Sequence, residues 1–123
     1  MILPFQHQKI ETSETMHYDR AGNRITLDEW VALYTDDNKR VARTEVNGVT
    51  VSTVWLGMDH SLSYGPPLIF ETMVFAKEAF GDLQERYETE HEAILGHLDI
   101  VDRVRAGEIT VQTIRAEHER GES

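Results

Sequence analysis

Asp59, His60, Glu71 and His97 are the residues whose types and placement suggest chemistry. Asp59-His60 follows the apolar stretch that ends at Trp55-Leu56, Glu71 interrupts the apolar run from Leu68 to Phe75, and His97 sits among Ala93, Ile100 and Val104 at helical spacing. Two imidazoles with one or two carboxylates are a donor set for zinc or iron(II) with open coordination positions. A small metal-dependent enzyme using His60, Glu71 and His97 with a divalent metal is therefore one expectation. The other is a structural polar cluster. A histidine on an apolar helix face usually packs and gives one ring proton to a neighbour. Glu71 would accept hydrogen bonds from Trp55, Tyr64 or His60, and Asp59-His60 would supply turn chemistry. The separations 60, 71 and 97 match no tight metal signature such as two histidines at i and i+4, so the structural reading takes precedence and no cofactor is expected. No serine elbow and no glycine-rich phosphate loop occurs in the sequence.

A second candidate is the loop from Met58 to Tyr64. Met58, Leu62 and Tyr64 are residue types favoured in protein contacts, and they stand between rigid ends.

The elements that must position these residues centre on Val41 to Phe75. Asn47-Gly48 is a strong signal for a two-residue hairpin turn, because both central positions of a type I′ turn need positive φ. It predicts strands over Lys39 to Val46 and Val49 to Leu56, with Val46 opposite Val49, Thr44 opposite Val51 and Ala42 opposite Thr53. Val46, Val49, Val51, Ala42 and Trp55 then share a core face. The other face is polar near the turn, at Arg43, Glu45, Thr50 and Ser52. It is apolar at Val41, Val54 and Leu56, where a covering helix is expected. Pro66-Pro67 ends the loop, and Leu68 to Phe75 reads as a third strand returning beside the second.

Before the hairpin, Met16 to Ile25 reads as a smaller hairpin turned by Asp19 and Gly22-Asn23, with Tyr18 and Ile25 inward. Thr26 and Glu29 form a capping box, opening a helix that turns Leu27, Trp30, Val31 and Tyr34 inward and ends near Thr35 to Asn38. After the third strand, residues 76–86 read as a turn-rich link. Thr89 and Glu92 open a second helix with Ala93, His97, Ile100 and Val104 on its buried stripe, flanked by Ile94 and Val101, and with Gly107 as its stop. The predicted fold is α+β: a small antiparallel sheet, made of the Asn-Gly hairpin plus a third strand, packed by two helices. Residues 1–15 are expected as an N-terminal arm, 16–107 as one domain, and 108–123 as a tail or short helix.

The chain has 123 residues, no cysteine, and 22 acidic against 12 basic residues, for a formal charge of −10. Disulfides, thiolate nucleophiles and thiolate-ligated metals are excluded. The charge argues against direct binding to a nucleic-acid backbone and leaves open an acidic nucleic-acid mimic that blocks a DNA-binding protein. Its densest acids are Glu85, Glu88, Glu90 and Glu92. No apolar run approaches the roughly 20 residues of a membrane span, and the first residues lack the basic and long apolar segments of a signal peptide. A cytoplasmic location is expected.

The segments Val54-Trp55-Leu56-Gly57-Met58-Asp59-His60 and Gly65-Pro66-Pro67-Leu68-Ile69-Phe70-Glu71-Thr72-Met73-Val74-Phe75 resemble those of a family of short uncharacterised proteins from actinobacteria and their phages. The family pattern adds Tyr18, Asp19, Gly22, Asn23, Trp30, Tyr87, Thr89, Glu92, Ala93, Gly96 and His97, so the resemblance covers about residues 16–105. It implies a phage or phage-like origin and carries no catalytic role. Together these readings favour a non-enzymatic protein-interaction module that binds a protein partner or forms a homo-oligomer.

Overall fold

A computed structural model describes residues 15–59, 65–77 and 79–122. In chain order, β1 (His17–Tyr18) and β2 (Arg24–Ile25) precede α1 (Leu27–Leu33) and the single turn α2 (Asp36–Lys39). Strands β3 (Arg40–Val46), β4 (Val49–Trp55), β5 (Phe70–Ala76) and β6 (Ala79–Tyr87) follow, then helices α3 (Glu90–Arg105) and α4 (Val111–Glu122). The fold is α+β, with β1 and β2 forming a small antiparallel pair and the other strands an antiparallel sheet in the order β3-β4-β5-β6.

Asn47 and Gly48 take φ of 52° and 78°, the left-handed pair that the β3–β4 turn requires. The register follows: Val46 opposes Val49, Thr44 opposes Val51, and Ala42 opposes Thr53. A bulge then inserts Val41 between Arg40 and Ala42 on β3. The extra residue re-aims the Val41 side chain into the cluster around Trp55, off the opposite face where simple alternation puts it. The helix expected on that opposite face is not there among the described residues. The side chains that the helices contribute to the two apolar clusters meet the Val51 and Trp55 face instead.

One cluster holds Val49, Val51 and Val74 from the sheet, Ile100, Val101 and Val104 from α3, and Ile109 and Ile114 beyond it. The segment from residue 108 onward, expected as a tail or short helix, thus contributes to the core through α4. Thr110 and Thr113 close the start of α4 reciprocally, each hydroxyl accepting the other's backbone N–H at 3.2 and 2.6 Å. The other cluster joins Trp55, Ile69, Phe70 and Ala93, with Tyr18, Trp30 and Tyr34 against them. Trp30 stacks on Tyr34 with ring centres 4.6 Å apart, and Tyr34 lies 5.7 Å from Trp55. Each large side chain fully buried here stabilises the fold by about 1.5–3 kcal/mol.

Four further differences from the sequence reading have physical causes. Residues 76–86 are mostly strand: β6 completes the sheet, because pairing along β5 outweighs the local turn signal of Gly81-Asp82. The first helix has its Thr26–Glu29 capping box but ends at Leu33, where Thr35 caps the separate turn α2. Trp30 and Tyr34 pack inward, whereas Leu27 and Val31 are more than half exposed, since a helix of seven residues contacts the core along one narrow line. On α3, Ile94 also faces outward.

Candidate functional site

Helix α3 is set by its two ends. Thr89 Oγ1 accepts from Glu92 N at 3.2 Å, and the Glu92 carboxylate accepts from Thr89 N at 3.2 Å. At the other end Gly107 has φ of 80°; its N–H reaches Val104 O at 3.1 Å, and the N–H of Glu108 reaches Arg103 O at 2.9 Å. These paired bonds close a Schellman motif. Between the ends, Ala93, His97, Ile100, Val101 and Val104 are buried against the sheet.

His97 is the polar centre of that contact. Its Nε2 lies 2.9 Å from Thr44 Oγ1 on β3, and its Nδ1 lies 2.8 Å from Thr53 Oγ1 on β4. The Thr53 hydroxyl in turn bonds the Thr72 hydroxyl on β5. A neutral imidazole has one N–H and one bare nitrogen, so the ring donates to one threonine and accepts from the other. Burial lowers the His97 pKa from its ordinary value, which favours this neutral form. Tyr87, next to Thr72 in space, has a buried hydroxyl with no aligned hydrogen-bond partner, and burial raises its pKa. The row is a structural hydrogen-bond chain across the sheet.

Glu71 is elsewhere. It opposes Val54 and Arg86, one position out of phase with Thr72, so its side chain leaves the other face of the sheet. There the buried carboxylate accepts from Arg86 Nε at 3.0 Å. The expected convergence of Glu71 with His97 is therefore corrected: the sheet stands between them, and they cannot share an ion. The long connection before β5 left its register open in the sequence, and a shift of one residue decides the face. Among the described residues, no group of three or more His, Asp or Glu side chains is placed to hold a metal. His60, Leu62 and Tyr64 lie outside the described residues. Asp59 is half-buried, and Met58 forms an isolated antiparallel bridge with His17, beside the bond from Tyr18 N to Gly57 O at 2.8 Å.

Two of the four acids considered for nucleic-acid mimicry have local roles. Glu90 pairs with Arg20 at 2.8 Å, and Glu92 completes the α3 cap.

Sequence reasoning missed the outward face of α3. Ile94, Leu95 and Leu98 are 40%, 54% and 56% exposed, on the side of the helix away from the sheet. His91, Asp102 and Arg105 continue the same exposed line, at i, i+11 and i+14 counted from His91, with Leu95 and Leu98 at i+4 and i+7. That spacing was present in the sequence, but a helix with aliphatic residues on two sides does not say which side is buried.

In comparisons with known proteins, no family model, curated protein or solved structure matches the chain.

Proposed function

We propose that the chain is a small, phage-related, non-enzymatic protein-interaction module that works in the cytoplasm, and that its contact surface is the outer face of α3. The observation that carries this reading is the contiguous group Ile94, Leu95 and Leu98 left in solvent on a helix capped at both ends. Scattered apolar residues are ordinary on any surface, but adjacent large aliphatics on one rigid element are the usual mark of a contact site. Leu27 and Val31 give α1 a second exposed apolar pair. The flanking charges add direction to a contact and raise its solubility when unpaired. No helix among the described residues is long and apolar enough to cross a membrane.

A photo-reactive amino acid at position 98, in the cell that makes the protein, tests the reading. The control is the same group at Gln84, whose side chain projects from the opposite face of the sheet. Expected is one discrete adduct at position 98, lost when Leu95→Glu is added, and none at position 84. No adduct at position 98, or equal labelling at both positions, overturns the reading.

A further inference from the structure

The exposed line on α3 is self-complementary when two copies run antiparallel. A two-fold axis midway between Leu95 and Leu98 pairs each residue with the one whose number completes the same sum. Leu95 then meets the partner's Leu98 and His91 meets the partner's Asp102, while Glu88, ahead of the N-cap and outside the helical repeat, lies at the end of the pair that carries the partner's Arg105. All of these positions are exposed. We infer that this face of α3 binds a second copy of the chain as an antiparallel helix pair, an inference that rests on the reading of α3 as the contact surface.

The charges select the direction. The exposed face carries Glu88 and His91 at its start and Asp99, Asp102 and Arg105 towards its end, whereas Glu90, Glu92 and Arg103 are engaged within the chain by Arg20, the Thr89 cap and Glu108. Antiparallel packing sets His91 beside Asp102 and Glu88 towards Arg105, and opposes the two helix dipoles favourably. Parallel packing sets Glu88 beside Glu88, Asp102 beside Asp102 and Arg105 beside Arg105, an arrangement of like charges throughout. In the centre, Leu95 and Leu98 of both copies interlock, with Ile94 at each flank. Helices in such contacts approach to about 8–10 Å between axes, close enough for all these side chains to meet. The His91 ring offers an N–H to the Asp102 carboxylate, and Arg105 offers its fork to Glu88.

The contact is small. Stable complexes bury about 800 Å² on each partner, and one helix face supplies less. The pair therefore belongs with weak, concentration-dependent contacts.

Because the chain contains no cysteine, introduced cysteines report without interference. Antiparallel pairing brings position 91 against position 102 of the other copy and leaves the two copies of position 91 about 16 Å apart along the axis. A disulfide needs Cα atoms within about 7 Å. An oxidised mixture of His91→Cys and Asp102→Cys proteins is thus expected to give the mixed dimer, and neither variant alone a dimer. Sedimentation of the unmodified protein from about 5 to about 500 micromolar should show its mass rising from 14.1 kDa towards twice that value. Leu98→Glu should weaken association by at least about thirtyfold. Glu88→Lys and Arg105→Glu should each weaken it, and the two together should restore it. Circular dichroism of each variant confirms that α3 is intact. A monomer at the highest concentration with no mixed disulfide overturns the inference, and so do disulfide dimers of the single variants. The position-98 adduct keeps the two proposals apart. An adduct of twice the chain mass supports the pair, whereas a discrete adduct of another mass overturns the pair and leaves α3 as the contact surface for a foreign protein.

Discussion

The Tyr87 hydroxyl occupies the space where a side chain on Gly96 would begin. A β-carbon built on Gly96 would collide with that oxygen and lie 2.6 Å from Cζ of the same ring, well inside contact distance. Glycine in the middle of α3 costs about 1 kcal/mol relative to alanine, so this position gives up helix propensity to let the β6 end approach the helix closely.

Gly96→Ala should therefore destabilise the protein by about 1–3 kcal/mol, against the gain that alanine brings to an unobstructed helix. Tyr87→Phe should be neutral or slightly stabilising, because the hydroxyl it removes is buried without an aligned partner. Combined, the two should recover part of the Gly96→Ala loss. Urea unfolding of the three variants checks this; a Gly96→Ala protein as stable as the original contradicts the close approach.

Gly57 is constrained twice. Its φ is 72°, and a β-carbon would lie 2.6 Å from Trp30 Cδ1 and 2.8 Å from Trp55 Cζ2. Gly57→Ala should cost about 2–4 kcal/mol, whereas Gly22→Ala, which has positive φ but open space around it, should cost about 1 kcal/mol. Thermal melts of the two variants side by side give the comparison, and equal losses would refute the packing term.

His97 makes stability depend on pH. Its folded-state pKa is lowered by burial, so the unfolded chain binds the proton more readily. Stability is then complete above the unfolded value of about 6.5 and falls as pH drops through that value towards the folded one. Melting temperature should decline between about pH 7 and pH 5 for the original protein and decline less for His97→Gln. His97→Ala should cost about 2–4 kcal/mol at neutral pH, since it leaves Thr44 and Thr53 short of a partner as well as opening space. Identical pH profiles for the original and His97→Gln would show that another group titrates.

Glu71 and Arg86 should respond unequally to substitution. Arg86→Met leaves a buried carboxylate without its cation and should cost about 2–4 kcal/mol, while Glu71→Gln leaves a half-exposed guanidinium that water can reach and should cost less. Glu71→Gln added to Arg86→Met should restore much of the loss. A double-mutant cycle by chemical unfolding measures the coupling, and a coupling near zero would contradict the ion pair.

What the amino-acid order revealed, and what it concealed, divides along range. Asn47-Gly48 specified a register, and Thr89 with Glu92 specified a helix start, because each signal is complete within a few neighbouring residues. β6 was hidden because its strand character comes from pairing along β5, and Gly81-Asp82 argues the other way locally. The face of Glu71 was hidden because it depends on a parity set only when β5 docks on β4. The outward turn of Ile94 and Val31 was hidden for a related reason. Both sit beside positions that do pack, and the width of the buried strip is decided by the sheet underneath.

The threonine and histidine row under α3 has a consequence for the molecule's outside. An all-hydrocarbon seam would tolerate rolling of the helix about its own long axis, with one aliphatic contact exchanged for another. Two ring nitrogens that must find two hydroxyls on different strands tolerate no such roll. The polar row thus acts as a keyway, and by holding the rod in one rotational setting it also decides that Leu95 and Leu98 are the side chains turned to the outside.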